Sequence, residues 1–543
     1  MRYDVNEETG KPSDLADLLT ELKQSRTPVA VFAAADADGL AAAQILMSVL
    51  KRESVRYQQQ VFRKITDLHD ELDKLRTSQQ CTKAVLLNCG ALLDLSRWAP
   101  GVGGPSRSLE ALTIFVFDSH RPINHLNLSA PQVVIFDDDV AFIPPPLRDS
   151  FSADEDDSSS SPRAKRGRYL SPRIESDDGD VEGLEEYYRG SYYALPVSLL
   201  IYQVALAYRL HSPESLWLVC VAVCSYYESG YISQNQYLAI AHDVEQKFLG
   251  DFQSEETRRK GAVVFGEELR LVLVRHWSVQ ESFHASPYVF SKLELHRDHG
   301  KRQLQQLLAL AGIPPDEYSQ MFCSMSLPLR QKLKANNSKF TKACRTFRLT
   351  EISHFEFSRS TRLGDEENPS ISVNELCASD AFHAVTLALE DQKNDVAIDL
   401  MSGSASAGNM RKCILQALDW RRAIASQVKM ILDRRNAKVK DGVRFFKIDR
   451  PASFVFAESA AAARQLAVFL WTVYKFKSNA AEAEKGLPVI VAVKNVSRYL
   501  CVGIDPDNIR NDFVDRYTQA SKLCGIVESD KNCKFHIIFI AQV

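Results

Sequence analysis

Acidic side chains and a histidine follow apolar segments in the amino-terminal part of the chain, at the points where each segment gives way to a turn. Asp36 and Asp38 follow one such segment, Asp118 and His120 follow another, and Asp138 lies in an acidic run after a third. Proteins use carboxylate oxygens and imidazole nitrogens to hold pairs of hard divalent cations for phosphoester hydrolysis. These residue types therefore favour a metal-dependent phosphoesterase site.

One of these apolar segments lacks the acidic residue that a two-metal site would need at its end. The intervening apolar segment ends at Asn88, and an amide oxygen carries no charge and cannot bridge two cations. Each acidic residue also has a structural explanation: Asp38 precedes a helix-like stretch and suits its N-cap, while Asp118 and Ser119 suit a turn before Pro122. Their joint placement favours descent from a metal site and leaves present activity open.

The segments that must position these residues alternate between strand-like apolar runs and helix-like amphipathic stretches. Strand-like runs lie at residues 29–34, 55–62, 84–87, 113–117 and 133–136, and helix-like stretches at 13–25, 40–50 and 69–75. This alternation predicts a parallel, doubly wound sheet of the α/β class. The carboxyl ends of parallel strands meet at one edge of a sheet, which is where ligand-facing residues lie in such folds.

The chain has 543 residues, too many for one hydrophobic core. We expect an α/β domain at 1–143, a disordered insertion at 144–190, a helical completion of the first domain at 191–255, a helical inter-domain region at 256–375 and a smaller α/β domain at 376–543. Within the inter-domain region the apolar spacing predicts a helix over 263–283. In the last domain, strands are predicted at 443–446, 489–493, 499–502 and 535–539.

The predicted insertion combines prolines, consecutive serines, acidic runs and a basic cluster. Such a composition cannot bury enough apolar surface to offset the entropy of ordering. Its basic cluster suits a nuclear-import signal, or equally a solvating segment of mixed charge. The basic residues concerned are Arg163, Lys165, Arg166 and Arg168. Ser161 and Ser171 each precede a proline and suit proline-directed phosphorylation.

Composition sets further limits. The 66 Lys and Arg residues nearly balance the 69 Asp and Glu residues, so the net charge of −3 gives no argument that the whole chain attracts a polyanion. Of the 11 cysteines, Cys220 and Cys224 are the closest pair, and no second pair completes a zinc site. They are predicted to be reduced core thiols of an intracellular protein. No apolar run approaches the length of a membrane span, so no membrane contact is expected.

Several motifs resemble those of a known family. Asp36-Ala37-Asp38-Gly39 and Asp118-Ser119-His120-Arg121-Pro122 resemble the first and third motifs of the DHH phosphoesterase superfamily, which includes the bacterial exonuclease RecJ. The pattern is closer to that of a eukaryotic member, the cell division control protein 45 family. Further matching segments are residues 86–90, the acidic run from 137 with its insertion, residues 269–273, residues 276–278 and residues 300–304. The resemblance implies an amino-terminal DHH-type domain and a carboxyl-terminal DHHA1-like domain.

Carried over residue by residue, the resemblance assigns seven vestigial metal-site positions. They are Asp36, Asp38, Asn88, Asp118, Ser119, His120 and Asp138. Asn88 stands where the superfamily has an aspartate, Ser119 replaces the first histidine of the signature, and the carboxyl-terminal region lacks the glycine-rich Gly-Gly-Gly-His signature. Because two dications repel each other strongly without anionic ligands, the resemblance implies no bound metal pair, no cofactor and no hydrolysis.

The function implied by the resemblance is that of a nuclear, non-catalytic scaffold subunit of the eukaryotic replicative helicase, required for initiation and elongation of DNA replication. Its implied partners are the minichromosome-maintenance ring, the GINS complex and single-stranded DNA or origin chromatin, with loading factors and the replicative polymerase as further candidates. Two alternatives remain open. One is an active manganese-dependent single-strand exonuclease, and the other is a nucleic-acid-binding module that acts without the helicase.

Two sets of residues are candidates for these contacts. A helix predicted at 409–434 and the residue after it carry the candidate DNA-binding residues Arg421, Arg422, Lys429, Arg434 and Arg435, although a solvated basic face explains them more simply. The candidate partner anchors are Trp277, Phe283, Tyr288 and Phe290, which suit either an interface or the core.

Overall fold

The computed structural model describes most of the chain. The described residues are 2–4, 13–78, 80–98, 112–137, 183–184, 186–248, 250, 262–334, 338–358, 375–403, 407–434, 437–476, 486–495, 498–508, 510, 512–513 and 537–541. Several residues named above lie outside these ranges, namely Asp138, Ser161, Arg163, Lys165, Arg166, Arg168, Ser171 and Arg435. None of the helices in the described ranges has the length and apolar character needed to cross a membrane.

The strands of the described residues are numbered in chain order. They are β1 (Arg2–Asp4), β2 (Val29–Ala34), β3 (Tyr57–Phe62), β4 (Lys83–Leu87), β5 (Thr113–Phe117), β6 (His120–Arg121), β7 (Val133–Asp137), β8 (Tyr192–Tyr193), β9 (Ala262–Leu269), β10 (Glu351–Ser358), β11 (Glu375–Cys377), β12 (Lys438–Lys440), β13 (Val443–Ile448), β14 (Val489–Lys494), β15 (Arg498–Ile504) and β16 (Ile537–Ala541).

The α-helices were numbered in the same way. They are α1 (Ser13–Lys23), α2 (Ala37–Arg52), α3 (Ile65–Ser78), α4 (His125–Ser129), α5 (Val197–Ala207), α6 (Pro213–Glu228), α7 (Gln234–Phe248), α8 (Val279–Ala285), α9 (Pro287–Lys292), α10 (Asp298–Leu310), α11 (Pro315–Ser319), α12 (Leu327–Lys334), α13 (Lys339–Thr346), α14 (Ala378–Glu390), α15 (Asn394–Ser402), α16 (Ala407–Arg434), α17 (Val455–Glu458) and α18 (Ala460–Lys475).

The first sheet is parallel, with the strand order β1-β7-β5-β4-β2-β3. Its central strands β2, β4 and β5 are buried on both faces. In β2, for example, Val29 and Val31 pack into one core while Ala30 and Phe32 pack into another. Helices α1, α2, α5 and α6 contribute to the first core, and α3 contributes to the second. Burial on both faces explains why these strands have continuous apolar sequences. The predicted doubly wound α/β fold is confirmed.

The helix predicted over 263–283 is wrong in its first part. Residues 262–269 form β9, which pairs antiparallel with β10 along its whole length, from Ala262 opposite Ser358 to Leu269 opposite Glu351. Val264 is 48% exposed, whereas Val263 and Phe265 on either side of it pack against the core. Core-facing and exposed side chains therefore alternate along these residues, as they do in a strand. The partner strand β10 lies far away in sequence, so the spacing of apolar residues within the segment does not indicate this pairing.

The second α/β domain is built on a sheet with the strand order β12-β13-β14-β15-β16. Only β13 and β14 run parallel among these neighbours. The predicted boundary at residue 376 is too early, because α14, α15 and the first part of α16 pack into the amino-terminal core. Within α16, Ile414 and Leu418 belong to that core, whereas Ile424 and Val428 belong to the second. One continuous helix thus contributes to both cores.

The end of the predicted insertion needs correction, and the open alternatives for the candidate anchors are decided in favour of the core. Leu184 and Tyr187 are buried, and the Tyr187 hydroxyl donates to the Ile123 carbonyl over 2.8 Å, so the end of the predicted insertion packs against the first domain. The candidate anchors Trp277, Phe283, Tyr288 and Phe290 are also buried. The spacing of apolar residues identifies an apolar helix face but does not show what packs against that face. In this structure, other parts of the same chain pack against it. Cys220 and Cys224 are buried free thiols, as predicted.

Candidate functional site

The order of the strands brings the acidic residues together. Strands β2, β4 and β5 are parallel neighbours, so the residues that follow them, Asp36, Asn88 and Asp118, meet at one edge of the sheet. Asp36, rather than Asp38, is the N-cap of α2, where its Oδ1 accepts from the Gly39 amide over 2.7 Å. A Cβ atom at Gly39 would lie 2.6 Å from the Ala34 carbonyl oxygen, so this turn lies directly against the end of β2.

Asn88 joins the two acidic turns. Its Nδ2 donates to both oxygens of Asp36, over 3.1 Å and 3.0 Å. Its Oδ1 lies 2.7 Å from the Ser119 hydroxyl. The carboxylate of Asp36 sets the orientation of the amide, because only the NH2 end can face it favourably. Asn88 has a positive φ of 55°, a conformation that asparagine adopts more readily than most residues.

Asp38 caps a helix other than its own. It is 1% exposed and accepts from the backbone amides of Val197 and Ser198, over 2.7 Å and 2.9 Å. These amides open α5, whose own N-cap is Pro196, which provides no side-chain acceptor. A carboxyl group at this position satisfies donors that the helix leaves unpaired. The predicted role of Asp38 as the N-cap of α2 is therefore wrong, and its structural role lies between α2 and α5.

Tyr226 of α6 completes a row of four oxygen atoms. Its Oη lies 2.6 Å from Ser119 Oγ and 2.9 Å from Asp38 Oδ2, and Ser119 Oγ lies 2.7 Å from Asn88 Oδ1. Each of these three contacts needs one proton. Ser119 and Tyr226 supply two, and Asn88 supplies none because its NH2 faces Asp36. The row is complete only when Asp38 carries the third proton as a neutral carboxylic acid.

The electrostatics of Asp38 agree with this count of protons. Burial, followed by the nearby charge of Asp36, raises the pKa of Asp38 to about 6, against the opposing effect of its hydrogen bonds with Ser198 and Val197. Below that pH all three contacts in the row contain a proton. Above it, one of the contacts between Asp38, Tyr226, Ser119 and Asn88 loses its hydrogen bond.

Asp118 and His120 form an ion pair at the same edge. Asp118 is 3% exposed and accepts from the amides of Ala91 and His120, over 2.9 Å and 3.0 Å, while the ring Nδ1 of His120 lies 2.6 Å from Asp118 Oδ1. Burial alone would raise the pKa of Asp118, but the charge and hydrogen bonds of His120 outweigh it and lower that pKa. The same carboxylate outweighs burial at His120 and raises the pKa of the ring.

This arrangement does not fit a pair of divalent cations. The oxygens of the three aspartates already accept hydrogen bonds from protein N–H or O–H groups, and an NH2 group faces Asp36 where a cation would need a bare carboxylate. Within the described ranges, Glu268, His354 and Glu356 are the group whose ligand atoms lie within 4.8 Å of one another. There the guanidinium of Arg275 contacts both glutamates, so a cation is already in place.

A cavity of about 190 Å³ lies above the sheet edge. It is lined by Asp36, Asn88 and His120 on one side and by Ala460 and Arg464 of α18 on the other. The sequence did not indicate Tyr226 and Arg464, because they lie on α6 and α18, far along the chain from the acidic turns, and belong to no local motif. The candidate site is therefore a cleft between the two domains.

The candidate DNA-binding residues do not share one surface. Arg421 is only 3% exposed and lies 3.0 Å from His383 Nε2, so its assignment to an exposed basic track is wrong. Arg422 is exposed but pairs with Asp419 over 2.9 Å and lies 5.0 Å above the Trp277 ring. Lys429 and Arg434 are exposed. The interior position of Arg421 follows from helical phase, because it falls on the face of α16 that packs inward.

A parallel sheet with these residues at its carboxyl edge, followed by a second α/β domain, defines a two-domain protein of the α/β class. The family model for CDC45 matches two overlapping parts of the chain, residues 29–183 and 147–404, and the chain belongs to the CDC45 family. The resemblance of the sequence motifs to this family is thereby confirmed.

Individual relatives agree with this assignment. The cell division control protein 45 homolog of Schizosaccharomyces pombe is 24% identical over 439 residues, which cover 70% of this chain and 66% of that protein. The Homo sapiens homolog is 25% identical over 350 residues, which cover 59% of this chain and 60% of that protein. The chain thus spans less than two thirds of the length of these curated relatives.

A solved structure shows the same fold. The crystal structure of CDC45 from Entamoeba histolytica aligns with 100% of this chain and 97% of that chain, with a TM-score of 0.68 and 16% sequence identity. The likeness extends over both α/β domains described above.

Substituting Asp38 by asparagine should alter the pH dependence of stability. The folded protein holds the Asp38 proton up to about pH 6, whereas an unfolded aspartate loses it near pH 4. The contribution of this group is therefore complete below about pH 4 and is lost as the pH rises through about 6, in total about 3 kcal/mol. Asp38→Asn should remove this decline in the free energy of unfolding, measured by urea denaturation between pH 4 and pH 7.

The matched control is Asp67→Asn, at an exposed aspartate in the first turn of α3. It should retain the pH profile of the unsubstituted protein. An Asp38→Asn profile that declines as steeply as the control profile would contradict the assignment of a proton to Asp38.

Proposed function

We propose that this protein is a non-catalytic scaffold subunit of the eukaryotic replicative helicase, acting in the nucleus with the minichromosome-maintenance ring and the GINS complex during initiation and elongation of DNA replication. The observation that carries the proposal is the amide of Asn88, which lies between Asp36 and Ser119 in a chain of the CDC45 family. Loading factors and the replicative polymerase are further partners of such a subunit.

The lack of catalysis rests on the chemistry of the sheet edge. A hydrolytic two-metal site needs deprotonated carboxylates with oxygens directed at the cations. Here Asp36 faces an NH2 group, Asp38 caps a helix and Asp118 pairs with His120. The CDC45 family is also not known for catalytic activity. These features favour the degenerate site over the alternative of a manganese-dependent single-strand exonuclease.

The candidate DNA contact involves the cationic side chains that α16 exposes. Lys429 and Arg434 remain exposed on α16 and support contact with the backbone of single-stranded DNA or origin chromatin, which requires only positive charge. Arg422 contributes less, because Asp419 already compensates its charge. The same residues would serve a nucleic-acid-binding module that acts without the helicase, so DNA binding alone does not distinguish the two functions.

Purified protein should leave a labelled single-stranded oligonucleotide intact in the presence of manganese, and manganese should not raise its unfolding midpoint. Asn88→Asp should lower that midpoint without metal, because a second carboxylate would then face Asp36 at close range. Added manganese should recover part of the loss. A gel assay measures the integrity of the oligonucleotide, and thermal unfolding measures the midpoint.

Degradation of the oligonucleotide by the unsubstituted protein, abolished by Asp38→Ala, would instead establish the exonuclease. The control Asn124→Asp replaces the N-cap of α4 and should show no response of the midpoint to manganese, since both residue types cap a helix well.

Isolation from dividing cells tests the scaffold function itself. A tagged copy of the chain should copurify with subunits of the helicase ring and the GINS complex at stoichiometric yield, as judged by quantitative mass spectrometry. Recovery of the protein alone, under salt conditions that keep the helicase assembled, would support the independent nucleic-acid-binding module.

A further inference from the structure

A basic groove of about 180 Å³ lies between the last two turns of α16 and the end of β13. Arg434 lines it from the helix, and Lys447 and Arg450 line it from the strand and the loop that follows. Its apolar part is formed by Ile431 and Ile448, which are 3% and 5% exposed. Two elements that are adjacent only in the folded protein thus direct three cationic side chains into one concave surface.

Two of these cations are not compensated. Arg434 and Arg450 are exposed and form no ion pair with any residue in the described ranges. Lys447 lies 3.6 Å from Asp449, whose Oδ1 also accepts from the Tyr499 hydroxyl over 2.6 Å. The acidic residue of the groove is therefore held by Lys447 and Tyr499, and the two guanidinium groups remain available for an anion.

Strand β12, which pairs with the first part of β13, carries two further lysines. Strand β12 forms the edge of the second sheet, and its residues Lys438, Val439 and Lys440 are all exposed. Lysines on an edge strand discourage pairing with other sheets, which alone would explain their presence. Together with the uncompensated arginines they also favour an acidic partner through charge complementarity.

The dimensions limit what this partner can be. Pockets that enclose small-molecule ligands usually measure about 300–1,000 Å³, so the groove suits one anionic side chain rather than a whole cofactor.

A nucleic-acid strand gains affinity from many phosphates along a positive track. Along α16 that track is interrupted by the exposed Asp419 and Asp433. Guanidinium groups form paired hydrogen bonds with both phosphate and carboxylate groups. A phosphate dianion carries more negative charge than a carboxylate and is therefore the stronger ligand for two arginines.

We propose that the groove formed by Arg434, Lys447 and Arg450 binds a phosphorylated side chain within an acidic segment of a partner protein. The phosphate contacts the guanidinium groups of Arg434 and Arg450, and acidic residues of the same segment are attracted to the lysines of β12, the strand that follows α16 in the chain. The proposal goes beyond the scaffold function and does not depend on it, because it rests on the groove alone.

Fluorescence anisotropy with the full-length chain tests the proposal. The probe is a short fluorescein-labelled peptide with one phosphoserine flanked by glutamates, compared at about 0.15 M salt with the same peptide carrying serine. The phosphorylated peptide should bind at least about tenfold more tightly. The double substitution Arg434→Glu with Arg450→Glu should weaken its binding by about tenfold or more.

The control variant is Arg411→Glu, a charge reversal at an exposed residue of the same helix that lies outside the groove. It should leave the affinity for the phosphopeptide unchanged. A second variant, Arg434→Lys with Arg450→Lys, keeps the charge but loses the paired donors, so its affinity should lie between those of the unsubstituted protein and the glutamate variant.

Equal affinities for the phosphorylated and unphosphorylated peptides would overturn the proposal, as would unchanged phosphopeptide binding in the glutamate variant. A labelled oligothymidine that binds while the phosphopeptide does not, and that loses affinity in the same variant, would overturn it in favour of nucleic acid. Circular dichroism of each variant confirms that a loss of binding does not reflect a loss of fold.

Discussion

Three carboxyl groups lie at one edge of a parallel sheet, and their charge must be compensated there. Taking a carboxylate out of water is costly unless a cation or hydrogen-bond donors replace the solvent. In this protein each aspartate has its own hydrogen-bond partners. Asp36 accepts from Asn88 and from the first turn of α2, Asp38 accepts from the amino terminus of α5, and Asp118 pairs with His120. The protein itself thus supplies hydrogen-bond donors and a histidine ring to all three carboxyl groups.

This local compensation also joins distant parts of the chain. Asp38 connects α2 to α5, and Tyr226 brings α6 into the same row of oxygen atoms. Helix α6 packs against α14, and α14 packs against α16, which contributes to both hydrophobic cores. The sheet edge is therefore part of the packing that connects the two hydrophobic cores.

Much of this fold follows from patterns visible in the sequence. Buried parallel strands such as β2 and β5 have continuous apolar runs, and the turns after them carry the acidic residues, so the sheet and its edge were predictable. Long-range features were not. The partner of β9 lies far along the chain, the amides capped by Asp38 belong to α5, and the burial of Arg421 depends on which face of α16 meets the core. Each of these depends on tertiary packing, which local periodicity does not specify.

The amide of Asn88 donates to both oxygens of Asp36, which a two-metal site would need to direct at its cations. A crystal structure of this protein grown in manganese chloride, with anomalous diffraction data collected near the manganese absorption edge, tests this claim most directly. We expect no anomalous peak between Asp36 and Asp118, with Asn88 Nδ2 within hydrogen-bonding distance of Asp36. A strong peak ligated by Asp36, Asp118 and His120, with the amide turned away, would contradict it.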